Sequence, residues 1–399
     1  MADTNSLGLA LSGGGSRAAA FHCGTIQALA EIGLLPLVNV VSTVSGGSVF
    51  GAAWMSSKLA GKTTDQFIAD MKRELHHGFV VRSLLNWKVA ALLAPGFTRT
   101  ELIADTFDRV FCQGRVLSEL PDSPRLCLNT SVLNNGQVGK FSRWGFSTSG
   151  LGGDRDADGS NAAVPLPKFR LARAAAASAA FPIGLPPLML GAKELAGAPR
   201  TGLLEGDDPL ALSDGGVLEN LGVQTLLKSH RFGTWHLVIS DAGVRSVPWR
   251  PHSFGRWIVA FLISAVSASV LRRVLELMND KENRSMRSAV MAQALQSTGG
   301  GSPQPRRGLL FVRVDQTWDR LTSGANAPGL ARAKKMYDEM GGDTRVAQLN
   351  DVATGFTGLS ARDVEGLAAH ARWQVFALHA LYGDAFPRKS QAAEEVRVS

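Results

Sequence analysis

Two apolar runs that each break at a cluster of glycines constrain the fold of this chain more than any other feature in it. Leu7 to Ser12 is short and apolar and stops at Gly13-Gly14-Gly15. A periodic stretch follows, with Ala19, Thr25, Ile26 and Leu29 on the pattern of a helix that ends near Gly33. Leu37 to Val44 is again β-branched and apolar, breaks at Ser45-Gly46-Gly47, and leads into a second apolar helix through Trp54. An uninterrupted apolar strand is one buried on both faces. Strand, turn and helix in quick repetition need a crossover connection, so this stretch predicts an α/β fold with a parallel sheet.

Further along, Lys62 to Gly114 is helical and amphipathic, with Leu102, Ile103, Phe107, Val110 and Phe111 on one pattern. Arg125 to Ser131 and Gln137 to Trp144 read as strands joined through Asn134-Asn135-Gly136, a tight-turn sequence. Polar loops are expected at Ser147 to Ala163, Gly191 to Asp208 and Gln296 to Gly308. Between them fall a helix at Leu171 to Ala180, a turn at Pro182, Pro186 and Pro187, and a strand at Trp235 to Ser240. Leu309 to Val314 is a further strand and Ala361 to Leu381 a closing helix. With no internal repeat and no linker long enough to separate two units, residues 1–399 are expected to form a single domain. Trp144, Trp235 and Trp373 stand in apolar contexts and are expected in the core.

Charge and targeting narrow the class of function. Forty-two Lys+Arg against 34 Asp+Glu leave +8, a balance that attracts anionic membranes or nucleic acid alike. The basic pair Arg306-Arg307 is too short a cluster to argue for nucleic acid, and none is expected as a partner. The start of the chain has no basic region followed by an apolar core, so no cleavable secretory signal is expected. Trp257 to Leu271 is shorter than the ~20 residues of a spanning helix and is interrupted by Ser264, Ser267 and Ser269. The protein is therefore expected to be cytoplasmic or peripheral to a membrane, with Cys23, Cys112 and Cys127 as reduced thiols. Asp154, Asp156 and Asp158 imitate the start of a calcium loop, but Pro165 stands where a bidentate glutamate is needed, and no metal is expected.

The chemistry sits at the two glycine turns. Consecutive glycines at Gly13-Gly14-Gly15, followed by Ser16, Arg17 and Ala18, let several N–H groups converge on one point ahead of a helix, which suits an anion or a developing oxyanion. Thr43-Val44-Ser45-Gly46-Gly47 is close to the nucleophile elbow, in which a serine on a strand-to-helix bend holds its hydroxyl clear of the sheet. Gly13, Gly15 and Ala18 also fit a dinucleotide fingerprint, which needs an acid at the end of the next strand; that strand ends at Ser42-Thr43-Val44-Ser45. A serine nucleophile needs a base. His22 lies one turn behind the glycines, where it could line the site but a surface or packing role explains it as well, and His76-His77 read as a surface pair. His230, His236, His252, His370 and His379 occupy no distinctive loop. Ser213-Asp214-Gly215-Gly216 stands out more, although an Asp-Gly turn or cap is the ordinary fate of such a sequence.

In content and order, the Gly13–Arg17 loop, Ser45 and Asp214-Gly215-Gly216 together resemble the patatin-like phospholipase family, and Arg173 to Pro182 looks like the segment that precedes its aspartate. The resemblance spans about residues 7–222, with Ala18 and Thr43 standing where the family has glycine. It implies a three-layer, mostly parallel sheet flanked by helices, with added helices. It also implies a lipid acyl hydrolase, a phospholipase A or lysophospholipase, that works through a Ser45 acyl-enzyme. Asp214 would be the general base, and the loop Gly13, Gly14, Gly15, Ser16 and Arg17 would form the oxyanion hole. Gly46, Gly47, Gly215 and Gly216 would support elbow and dyad, with no cofactor. The substrate would be a phospholipid or other acyl ester met at a membrane surface. Candidate walls for the acyl chain are Leu84 to Phe97 and Trp257 to Leu271. Two other readings stay open at this point: a nucleotide-binding α/β protein using the Gly13–Gly15 loop, and a membrane-docking module without catalysis.

Overall fold

The computed structural model describes residues 6–79, 97–152, 163–182, 184–195, 197–227, 236–243, 285–290 and 308–386. The expectations placed on Trp257 to Leu271, the calcium-like loop, Arg306-Arg307, Trp235, His230, His252 and all of Leu84 to Phe97 except Phe97 lie outside the described residues.

The described strands are β1 (Leu7–Leu11), β2 (Val38–Val44), β3 (Arg125–Val132), β4 (Gln137–Ser142), β5 (Gly145–Ser147), β6 (Leu188–Leu190), β7 (Leu210–Asp214), β8 (His236–Asp241) and β9 (Leu309–Arg313). They form one sheet in the order β5-β4-β3-β2-β1-β8-β9, with β6 and β7 attached to β3. The pairs among β1, β2, β8 and β9 and between β2 and β3 are parallel. Those among β3, β4, β5, β6 and β7 are antiparallel. The helices are α1 (Gly15–Glu31), α2 (Gly46–Leu59), α3 (Thr64–His77), α4 (Arg99–Phe107), α5 (Leu171–Ser178), α6 (Val223–Leu227), α7 (Trp318–Thr322), α8 (Leu330–Met340), α9 (Gly342–Asn350) and α10 (Ala361–Tyr382). The mostly parallel α/β architecture with added helices is the one the sequence implies.

Successive side chains of a strand point to opposite faces, and here both faces are covered. Leu9, Leu11, Val41, Leu126, Leu128 and Val238 pack into the larger core with α1, α2, α5 and α10. Ala10, Val40, Cys127, Leu237 and Ile239 pack the other way, against Leu221, Val223, Leu226 and Val290. Double burial explains why β1 and β2 read as continuous apolar runs.

Helices α1 and α10 approach closely enough to exclude a methyl group. A Cβ on Gly24 would lie 1.8 Å from the carbonyl oxygen of Ala368. Because that obstacle is backbone, α10 has to move as a body to make room. Gly24→Ala is expected to destabilise the protein by about 3 kcal/mol, the upper range for overpacking. A denaturant melt with an unshifted midpoint would contradict this.

Three local expectations change. Trp144 is 45% exposed, not core: it sits on the turn between β4 and β5, where neither layer covers it, and Arg125 stacks 4.4 Å from its ring centroid. The second hairpin strand ends at Ser142, ahead of that turn. Helices α7, α8 and α9 fill a stretch to which the sequence assigns no element. No described helix is long and apolar enough to cross a membrane.

Candidate active site

One strand, β3, brings the two candidate catalytic residues together. Its first half pairs with β2, placing Val44 opposite Asn129. There β2 stops, because Ser45 bends the chain into α2. From the next residue onward β3 pairs with β7, placing Asp214 opposite Thr130. β7 thus occupies the lane that β2 vacates, and residues far apart in sequence meet end to end. The Ser45 hydroxyl donates to Asp214 Oδ2 at 2.6 Å.

The bend at Ser45 is strained. Its φ of 51° and ψ of −120° lie where L-residues rarely sit, a conformation that costs about 1–3 kcal/mol and persists only when the surroundings impose it. Close backbone passage does so here: a Cβ on Gly46 would lie 2.4 Å from the Gly15 carbonyl oxygen, and one on Gly47 would lie 2.4 Å from that of Leu11. Buried hydroxyls complete the frame. The Ser45 N–H donates to Ser178 Oγ at 3.0 Å, Ser178 bonds Ser48 at 2.8 Å, and Ser48 bonds Thr43 at 2.8 Å. Thr43 also donates to the Cys127 carbonyl, so the threonine at the family's glycine position is tied into the elbow. Its methyl group is accommodated by Gly51, where a Cβ would come within 2.9 Å of it.

Asp214 is held from both sides of its carboxylate. Oδ1 accepts from the Gly216 N–H at 2.7 Å, while Oδ2 faces Ser45. Its backbone N–H donates to Ala180, and its carbonyl accepts from Ser131. Gly215 passes close to β3, since a Cβ there would meet the Asn129 carbonyl at 2.5 Å. Only 4% of the residue is exposed, and burial raises its pKa from 3.8 to about 6 against the opposing pull of the Ser45 and Gly216 hydrogen bonds.

The glycine loop lies against the elbow with Gly14 and Gly15 at φ of 138° and 59°, so that it turns straight into α1. Two of its N–H groups are committed: Gly13 donates to the Asn220 carbonyl at 3.0 Å and Ser16 to that of Gly355 at 2.9 Å. Those of Gly14 and Gly15 have no acceptor among the described residues and stand at the start of a long helix, whose dipole favours negative charge. The Arg17 guanidinium is committed to backbone carbonyls. It donates to the carbonyls of Val352 and Ala242, clamping the base of the loop, and burial lowers its pKa to about 10. His22 is fully buried behind the loop. Because the Ser12 carbonyl can only accept, Nε2 carries the proton toward it, and Nδ1 faces the Ser240 hydroxyl; burial drives the pKa down to about 4, leaving a neutral spacer.

Sequence reasoning missed Ser178, Ser48, Asn129 and Asn220. Ser178 left a trace, as the one hydroxyl in the alanine run Ala174 to Ala180. Asn129 lies within β3 with no motif to mark it, and its amide donates to Ser42 and to the Thr43 carbonyl.

Comparison with known proteins agrees with this architecture. Human GIVD cytosolic phospholipase A2 superposes with a TM-score of 0.51 at 13% identity, over 95% of this chain and 60% of that one, a likeness of fold alone. Neuropathy target esterase sws of Drosophila grimshawi is 30% identical over 153 residues, or 37% of this chain, and the match spans only 10% of that relative. A family model described as patatin-like phospholipase matches residues 9–227, from the first strand through both glycine turns and the aspartate turn to α6. Since that stretch is more than half of the chain, the protein belongs to the patatin-like phospholipase family.

Proposed function

We propose that this protein is a lipid acyl hydrolase of the phospholipase A or lysophospholipase type. Ser45 is its nucleophile and Asp214 its general base. The observation that carries the reading is the 2.6 Å hydrogen bond from the Ser45 hydroxyl to a buried carboxylate, made at a strained elbow beside a glycine loop whose Gly14 and Gly15 N–H groups have no acceptor among the described residues. Asp214 takes the serine proton as Oγ attacks the ester carbonyl carbon. The Gly14 and Gly15 N–H groups hold the resulting oxyanion. Collapse of the tetrahedral intermediate expels the alcohol, which leaves with the proton from Asp214. Water then gives a proton to the same carboxylate and attacks the acyl-enzyme. Collapse of that intermediate releases the fatty acid, and Ser45 Oγ leaves with the proton from Asp214, restoring both groups. Ser16 and Arg17 hold the loop in this scheme, while Gly46, Gly47, Gly215 and Gly216 let the backbones meet.

We read residues 1–399 as one catalytic unit, because β8 and β9 lie beyond the matched family stretch yet extend the same sheet. The substrate is a phospholipid or related acyl ester, reached by peripheral contact with a membrane whose anionic headgroups attract the net charge of +8. A long-chain alkyl fluorophosphonate tests the reading. The expected result is one adduct per chain, mapped by peptide mass spectrometry to Ser45 and prevented by excess phospholipid. Labelling elsewhere, or none, defeats it.

A further inference from the structure

The oxyanion loop that the sequence implies is short of a donor, because the Ser16 N–H is spent on the Gly355 carbonyl and the Gly13 N–H on that of Asn220. The residue that engages Gly13 also brings a side-chain amide to the same place. A Cβ on Gly13 would lie 2.1 Å from Asn220 Oδ1 and 3.1 Å from Ser45 Cβ, so the amide stands beside the nucleophile. A Cβ on Gly216 would lie 2.6 Å from that oxygen and 3.0 Å from Asp214 Oδ1. The amide therefore fills the space left by two glycines, one on the oxyanion loop and one on the aspartate turn.

This placement is built. The buried Glu219 carboxylate accepts from the N–H groups of Leu221, Gly222 and Gln224 and so fixes the turn that carries Asn220. The Asn220 carbonyl is fixed in turn by Gly13. Yet the Asn220 side chain has no hydrogen-bond partner among the described residues and is only partly buried. The two ends of an asparagine amide exchange by a half-turn about its last side-chain bond, so the position beside Ser45 can hold the NH₂ group as readily as the oxygen.

From this arrangement we infer that Asn220 is a catalytic residue: its side-chain N–H donates to the oxyanion formed when Ser45 attacks the ester carbonyl, as a third donor with the Gly14 and Gly15 N–H groups. The inference rests on the proposed role of Ser45. Such a donor acts on charge that develops in the transition state, so its removal lowers kcat and spares KM.

The test uses Asn220→Ala and Asn220→Leu in the full chain, with a p-nitrophenyl acyl ester and the alkyl fluorophosphonate as probes. Both variants keep the Asn220 backbone carbonyl and lose the donor. The expected result is a fall in kcat of about 10²-fold for each, with KM within about 3-fold of wild type, and a parallel fall in the rate of phosphonylation. The pH of half-maximal kcat/KM should stay where it is in wild type, since Asp214 keeps its partners. A shifted pH profile would assign the amide to the support of Asp214 and overturn the inference. So would a wild-type kcat in either folded variant, or the loss of the folding transition in both, which would place the amide in the frame. If wild type itself neither turns over the ester nor labels at Ser45, the functional reading fails instead, and the two failures are told apart.

Discussion

Ser45→Ala is expected to remove ester turnover by on the order of 10⁴–10⁶-fold, with the protein still folded. The loss is large because no other described hydroxyl near the elbow is placed to substitute: Ser48 and Ser178 are fully buried and bonded to each other. The fold survives because the strain at φ 51° belongs to the backbone, which serine and alanine experience alike. The frame that imposes it, Ser178 on the Ser45 N–H and the tight passage of Gly46 and Gly47, does not involve the hydroxyl. What does change is Asp214. It loses the hydrogen bond that opposes its desolvation, so its carboxyl becomes harder to ionise. Turnover of a phospholipid or acyl ester, read beside a circular dichroism melt, checks both halves. A variant that keeps more than about a hundredth of wild-type turnover would remove Ser45 from the chemistry.

The elbow and the glycine loop were legible because both interrupt strands buried on two faces. A continuous apolar run that stops at glycine is a strong signal, and β1 and β2 lie where it puts them, while the turn Asn134-Asn135-Gly136 falls between β3 and β4 as its tight-turn sequence requires. The meeting of Ser45 with Asp214 was implied only by resemblance to a family, since its physical cause is the replacement of β2 by β7 alongside β3. Pairing of that range leaves no periodicity to read. Commitment of the Ser16 N–H to Gly355 was equally hidden, because the acceptor is a backbone carbonyl in a loop that no motif marks. Helices α7, α8 and α9 escaped because much of their surface is polar and solvated, so their apolar stripes are short. Trp144 reads as core for the opposite reason: its apolar neighbours in sequence, Phe141 and Phe146, are fully buried, whereas the turn that carries it faces solvent.

Asp214→Asn is expected to move activity and stability in opposite directions. The amide has nearly the shape of the carboxylate. Its oxygen can accept from Gly216 N–H, and its NH₂ can donate to Ser45 Oγ in place of the bond made there now. The geometry is kept, but nothing remains to take the serine proton, and turnover should fall by on the order of 10⁴-fold. Wild-type kcat/KM should rise with pH to a plateau above about 6, because only the ionised carboxylate is a base and burial has raised its pKa to about 6. Any activity left in the variant should lack that limb. The stability effect follows from the same burial. In the unfolded chain the group titrates near 3.8, so between about 4 and 6 the folded state binds more protons, and wild type loses stability as pH rises through that window. Above it, a buried ionised carboxylate opposes folding, and a neutral amide relieves a penalty on the order of 2–3 kcal/mol. Denaturant melts of the two proteins should therefore diverge at pH 7 to 8, with the variant the more stable, and converge near pH 4. A variant that is less stable at neutral pH, or a difference that does not change with pH, would mean that Asp214 carries no such desolvation penalty and is not the tuned base of a serine hydrolase.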